Sequence, residues 1–299
     1  MVIDHNKISI KEAYKFAFLA IFLWSTVATA FKLSLTYLTP IELVLYSVYS
    51  STIFLFVFLL FSKKIKYVIP YIKQNLKITL FLGLLNPFLY YIVLFKAYEV
   101  LPAQEAQAIN YTWALMLAFL SVPILKHKLS FWDIIAGFIC YAGVFIIASK
   151  GDIFGLNFSS LEGVGYALLS TVIWALYWLY STKNKADSVV ILFSNFLISL
   201  PFITIYYFVF EDTRLPELYG LYGAVYIGFF EMGLAFIFWL KAMQYTDKAS
   251  RISNLIFVSP FLSLIFIYFL LGEEILLSTI IGLFFIISGL FVQSKKISL

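Results

Sequence analysis

IELVLYSVYSSTIFLFVFLLFS, residues 41–62, carries one charged side chain, Glu42, in twenty-two positions. A helix needs about 20 predominantly apolar residues to cross a hydrocarbon core of about 30 Å. Val, Ile and Phe favour strands in short runs, but an uninterrupted run beyond 18 residues reads as a spanning helix. In lipid, a helix alone satisfies its own backbone hydrogen bonds within one segment. The stretch therefore predicts a transmembrane helix. The same reading extends outward to spans near 13–35, 76–98, 104–124, 131–149, 160–182, 188–210, 218–243, 250–271 and 276–293.

Composition agrees with that reading. The chain of 299 residues is 63% hydrophobic and 12% charged, with a mean hydropathy of +0.95; soluble domains carry roughly 45–50% apolar and about 25% charged residues. Ten spans with short connections leave no room for a separate soluble domain. Cys140 is the single cysteine and lies in an apolar run, so no disulfide framework can form. His5 and His127 lie near the chain start and in a basic loop, which argues against an intramembrane metal or haem site. No metal or other cofactor is expected. The net charge of +5 is scattered over short loops, which suits lipid headgroups of the bilayer and not nucleic acid.

Of the 21 Lys and Arg residues, all but Lys32, Lys96, Lys150 and Arg214 fall on one side of the predicted spans. Positively charged loops stay cytoplasmic, so an even helix count with both termini inside a cytoplasmic membrane is expected. Lys7, Lys11 and Lys15 precede an apolar run ending in Ala28-Thr29-Ala30, a pattern shared with cleavable signal peptides. Against cleavage, this segment has a counterpart later in the chain.

That counterpart belongs to an internal repeat. An offset of 145 aligns Gly83 with Gly228, Asn86 with Glu231, Lys96-Ala97 with Lys241-Ala242 and Gly137 with Gly282, and an offset of 150 aligns Trp24 with Trp174. Chance alignment of Leu/Ile/Phe-rich segments is the competing reading. Residues 1–150 and 151–299 would each hold five spans, and an odd number makes the two copies enter the membrane from opposite sides. The expected fold is thus all-α integral membrane, ten transmembrane helices as two inverted five-helix repeats. Carriers use such repeats to open a central site to one side at a time.

The chain resembles the EamA-like family of the drug/metabolite transporter superfamily over essentially its whole length. The resemblance rests on Trp24-Ser25, on FKAYEVLPAQEAQAINYTWALMLAFLSVPIL from Phe95, on LKAMQYTDKASRISNLIFVSPFLSLIFIYFLLGE from Leu240, and on Gly272-Glu273 before Gly282. Lys128 stands where the second copy has Glu273, and Tyr46-Ser47 where many relatives carry Arg, so substrate rules do not transfer whole. INYTW also resembles the aromatic amino acid exporters of the superfamily. The resemblance implies a ten-helix exporter or exchanger of amino acids or related metabolites.

Candidate substrate-binding residues follow from polar groups placed in apolar runs. Glu231, in YIGFFEMGLAFIFW, has about ten apolar or small residues on each side. Such a carboxylate usually faces a cavity or partner; it could exchange a proton for substrate, bind an ammonium, or lock two helices as a structural acid. Asn86 is its neutral counterpart. Asn110, Tyr111 and Trp113 in the fourth span, with Ser253 and Asn254 in the ninth, serve either as packing bonds or as substrate contacts. Pro87 and Pro260 would each free a backbone carbonyl or simply kink a helix. Trp24, Trp174 and Tyr177 offer aromatic faces for cations or ring substrates, although interfacial belts also collect such residues. Lys32 and Lys96 lie at outer span ends, where long stems snorkel. Ser278 with Gly282, and Ala136 with Cys140, are small-residue pairs that permit close helix contact, within one bundle or between protomers of a homodimer.

Taken together these residues lead to the expectation of a secondary active transporter of small organic solutes, working by export and alternating access and not an enzyme, driven either by protons as a coupling ion or by exchange. No nucleotide-binding P-loop occurs in the sequence. The alternative is a membrane-embedded transferase, which would need clustered acids for a metal or a His-centred site. A receptor would predict long inner loops or a coupled domain.

Overall fold

The apolar runs fold as helices whose ends are set by identifiable caps. A computed structural model describes residues 9–126, 131–152, 154–155, 158–181, 184, 186–212, 215–246, 252 and 254–294. The helices are α1 (Ile10–Ser34), α2 (Pro40–Phe61), α3 (Val68–Gln74), α4 (Leu76–Val100), α5 (Ala103–Leu125), α6 (Phe131–Ala148), α7 (Leu161–Ser181), α8 (Ser188–Phe210), α9 (Leu218–Gln244), α10 (Leu255–Leu271) and α11 (Leu277–Ser294). Thr39 caps α2 by accepting from the Glu42 N–H, and the Glu42 carboxylate accepts from the Thr39 N–H at 2.8 Å. This capping box, with Pro40 at the first helical position, satisfies orphan donors and lets Glu42 be buried. Asp187 caps α8 by accepting from the Val189 and Val190 N–H groups and also pairs with Lys64.

Among the described residues, eight helices are long and apolar enough to cross a membrane, and their bounds agree with the sequence reading to within three residues. The last two expected spans differ. Leu255–Leu271 and Leu277–Val292 are shorter apolar helices. At 1.5 Å per residue, seventeen residues give about 26 Å, just short of the usual core. The expected ninth span began within 250–253, where only Ile252 is described.

Contacts divide the chain into two units that interleave the halves of the sequence. Unit 1 comprises Met1–Phe88 and Asn184–Phe266, and unit 2 comprises Leu89–Lys183 and Ile267–Leu299. Within unit 1, α1 packs on α9 and α10, α2 packs on α8 and α9, and α8 packs on the first half of α4. Within unit 2, α7 packs on the second half of α4 and on α5, while α6 lies along α11. In lipid no hydrophobic force draws helices together, so close backbone approach and van der Waals contact must hold them. Glycine supplies that approach. A Cβ at Gly143 would stand 2.5 Å from the Gly282 carbonyl oxygen, and one at Gly282 would stand 2.6 Å from the Gly143 carbonyl oxygen. Cys140 and Ala136 lie against Gly289 on the same seam, so each of the small-residue pairs expected in these helices has a member in the α6–α11 contact of one chain. Large apolar side chains such as Phe61, Phe138 and Phe269 are exposed instead, an arrangement that water would penalise and lipid tails accept.

Replacing Gly282 by Leu forces side-chain atoms into the Gly143 carbonyl, and overpacking of this kind costs about 1–3 kcal/mol. Gly282→Leu is expected to lower the thermal midpoint of the purified protein by several degrees. Gly165→Leu, at a position with open space around it, is expected to leave the midpoint unchanged or raise it. Equal midpoints for the two variants would contradict this account of the α6–α11 seam.

Candidate functional site

Two of the residues singled out from the sequence sit where their helices depart from regular geometry. Asn86 interrupts α4 with extended backbone angles, φ −143° and ψ 119°, immediately before Pro87. Glu231 lies inside Ile227–Ala235, a stretch of α9 widened to a π-helix. Such irregular stretches cost hydrogen bonding and occur disproportionately at functional sites. Both side chains are buried in unit 1, Asn86 at 1% exposure and Glu231 at 7%. The Asn86 Oδ1 has no hydrogen-bond partner. Beside the π-helix, α2 presents Ser47 and Ser51, buried one turn apart with both hydroxyls unpartnered. A Cβ at Gly228 would collide with the Ser47 carbonyl oxygen and lie 2.9 Å from the Ser51 nitrogen, so α9 can approach this face of α2 only with glycine there.

Trp24 completes the unit 1 set. Its ring packs edge-on to Phe236 at 5.7 Å and against Trp239 at 5.4 Å. Ten residues before Phe236 in α9, the Tyr226 hydroxyl is 2.7 Å from Thr26 Oγ1, which fixes the register of α1 on α9.

Unit 2 gathers a different group. Tyr90, the residue with which α4 resumes regular helix, stacks on Trp174 at 4.4 Å and 26°. Trp174 stacks in turn on Tyr177 at 5.5 Å and meets Trp178 edge-on. The Tyr90 hydroxyl reaches Asn110 Oδ1 at 3.5 Å, and Asn110 Nδ2 donates to Ser170 Oγ at 2.9 Å. The result is an aromatic wall ending in a hydrogen-bonded amide, suited to flat or cationic groups. Tyr111 lies in the turn dividing Ala103–Asn110 from Trp113–Leu125, and both Tyr111 and Trp113 are half-buried. Ser253 lies outside the described residues, and Asn254 is described only as the first residue of the turn Asn254–Val258. Lys96 holds its ammonium 5.7 Å from the Tyr166 ring centre at a helix end.

Sequence reasoning missed a polar lock in unit 2. Gly272 adopts φ +69°, which few side chains tolerate, and Glu273 then turns back to α5. Its carboxylate accepts from the Ala103 N–H at 2.8 Å and the Gln104 N–H at 3.4 Å. Gln104 returns the cap: its Nε2 donates to the Glu274 carbonyl at 2.8 Å, and its Oε1 accepts from the Leu276 N–H and the Thr279 hydroxyl. Glu105, which reads in the sequence as one more outer-loop acid, is buried at 1% exposure and accepts from the Ser159 hydroxyl at 2.7 Å. Gly272-Glu273 was legible as a motif. Its purpose, capping α5, depends on a residue 169 positions earlier and left no local trace.

Comparison with known proteins gives a consistent result. The model of the EamA-like transporter family matches residues 11–149 and again 161–294. The chain is 24% identical over 283 residues to an uncharacterized transporter of Archaeoglobus fulgidus, covering 93% of this chain and 97% of that protein. It is 25% identical over 229 residues to the uncharacterized transporter YvbV of Bacillus subtilis, covering 75% and 74% of the two chains. A solved crystal structure shares the fold with a TM-score of 0.68 at 21% identity, over 95% of this chain and 97% of that one.

Removing Gln104 leaves the Glu274 carbonyl, the Leu276 N–H and the Thr279 hydroxyl without their bonds, and an unsatisfied buried polar group costs about 1–3 kcal/mol. Gln104→Leu is expected to depress the thermal midpoint clearly. Tyr166→Phe, which removes only an exposed bond to Glu162, is expected to leave it unmoved. A midpoint for Gln104→Leu equal to the wild type would dissolve the lock.

Proposed function

Because this chain belongs to the EamA-like transporter family, whose model matches both of its halves, we propose that it is a secondary active carrier. It exports small organic solutes, amino acids or related metabolites, across the cytoplasmic membrane by alternating access. The observation that carries this reading is the pair Asn86 and Glu231. These two repeat-matched positions are buried, polar, and set at the irregular points of α4 and α9. Broken or widened helices at mid-membrane are the usual means by which carriers present polar groups to a solute.

The helix pairings support two inverted repeats. Under the proposed matching of α1 with α7, α4 with α9 and α5 with α10, the packing of α1 on α9 and α10 in unit 1 has its counterpart in the packing of α7 on α4 and α5 in unit 2. Trp24 and Trp174 share that relation, each placed against an aromatic ring of its partner helix, Phe236 and Tyr90. The caps Thr39 and Asp187 open α2 and α8 at an offset of 148, close to the 145 and 150 of the other matches. An odd number of spans per copy would put both termini on the cytoplasmic side.

In this reading Glu231 is the coupling group, taking up a proton or a substrate ammonium in one state of the cycle. Burial disfavours a charged carboxylate at membrane depth, and uptake of a proton or of a cationic solute would offset that cost as the site changes sides. The substrate-binding set comprises Glu231, Asn86 and Trp24 with Trp174, Tyr177, Asn110, Tyr111, Trp113, Ser253 and Asn254. The protein acts as a monomer or homodimer.

In proteoliposomes with an imposed pH gradient and a panel of radiolabelled amino acids, Glu231→Gln is expected to abolish the pH dependence of transport while leaving the elution profile and thermal midpoint near wild type. Retained pH dependence would remove Glu231 from coupling. Impermeant labelling of cysteines placed at the two termini in intact cells is expected to fail at both ends; labelling of one end only would break the inverted-repeat reading.

A further inference from the structure

Among the described residues, several buried hydroxyls, those of Ser47 and Ser51 included, lack a hydrogen-bond partner, while many other buried polar side chains find one in their own helix. The hydroxyls of Ser25, Ser34, Thr52, Ser194 and Ser199 donate to carbonyls three or four residues back in their own helices. Asn75 donates to the Tyr71 carbonyl, Asn110 bonds Ser170, and Asn184 bonds the Tyr71 hydroxyl. Asn195 is different. It lies in α8 at 0% exposure, and both its Nδ2 and its Oδ1 lack a hydrogen-bond partner. An amide wholly unpaired in the interior is costly, and each such group in a native fold needs a reason.

Its location supplies one. A Cβ at Gly83 would lie 2.6 Å from the Asn195 carbonyl oxygen, so α4 and α8 touch backbone to backbone at this level of unit 1. One turn further along α4 comes the break at Asn86, whose Oδ1 is also unpartnered and whose side chain is 1% exposed. At the level where α4 and α8 touch, α8 thus carries an amide with donor and acceptor both unused, and three residues past Gly83 α4 carries a second unused amide oxygen at an interruption of the helix. Irregular backbone at membrane depth is tolerated where it is enclosed by protein or lines a ligand path.

We propose that Asn195, with Asn86 and the break in α4, forms a recognition point for a solute edge that presents a hydrogen-bond donor beside an acceptor, as a carboxamide does. A carboxamide pairs reciprocally with the Asn195 amide through two hydrogen bonds, and its second N–H can reach an additional oxygen such as Asn86 Oδ1. The proposal rests on the carrier reading and narrows its substrate class to amide-bearing metabolites. Access requires the α4–α8 contact at Gly83 to loosen during the cycle.

The test uses the full chain in lipid nanodiscs, with unfolding followed by tryptophan fluorescence. L-Glutamine is expected to raise the midpoint of the wild type by mass action, and L-leucine, of similar size without the amide, to raise it less. Asn195→Leu is expected to raise the ligand-free midpoint by a few degrees, because an unpaired amide is removed, and to abolish the glutamine shift. Asn195→Val serves as a smaller replacement should Leu overpack. A fall of the ligand-free midpoint in both variants would mean that the amide is structurally bonded and would overturn the proposal. So would a glutamine shift that survives either substitution, equal glutamine and leucine shifts, or no glutamine shift in the wild type. These readouts involve no transport and no pH gradient, so a failure of Glu231 coupling is distinguishable from a failure here.

Discussion

Every backbone N–H and C=O within the bilayer must find its partner inside the protein, because hydrocarbon offers none. That requirement turns each apolar run of this chain into a helix and makes every departure from helical bonding conspicuous. Regular hydrogen bonding in the spans needs no further explanation. The extended residue Asn86 in α4 and the widened stretch Ile227–Ala235 in α9 do need one, and each carries a buried polar side chain.

The second constraint is the lack of a hydrophobic drive between helices in lipid. Interhelical bonds in this setting are worth only about 0.6 to 2 kcal/mol each, too little to align long helices unaided, so fit must do most of the alignment. Gly143 against Gly282 and Gly228 against Ser47 bring backbones into direct contact, and dispersion over many atom pairs accumulates along such seams. Polar locks add to this along the helices, as between Thr26 and Tyr226, and at helix ends, where Thr39–Glu42, Asp187–Lys64 and Gln104–Glu273 satisfy groups that the helices themselves cannot.

The eight long spans were legible in the sequence because hydrophobic length is a local property, and Asn86 and Glu231 drew attention because a polar residue in an apolar run stands out against its neighbours. Trp24 and Trp174 were legible through self-comparison alone. Tyr90 was hidden by abundance, since in a chain that is 20% aromatic one more Tyr carries no signal until its stacking on Trp174 is seen. Glu105 and Gln104 were hidden for a different reason. Their acid and amide chemistry is ordinary for a loop end, and only the tertiary fold buries them beside Ser159 and the Glu273 turn. Ser51 and Asn195 carry no signal in the sequence, because small polar residues in spans commonly bond to their own helix, and only the fold shows that these two side chains do not.

The asymmetry of the matched pair has a physical consequence for the proposed cycle. Two carboxylates at these positions would each carry the penalty of an ionised group in hydrocarbon, and both would have to be neutralised before either could move. An amide at Asn86 keeps a hydrogen-bonding group at the matched position without a second charge. In the proposed cycle Glu231 is then the one acidic member of the pair, and a single proton or a single cationic solute would offset its charge. In the proposed cycle, halves that each interrupt regular helix bonding in their own way while differing in one side chain's charge would move alike and still place a charge-sensing element in only one of them.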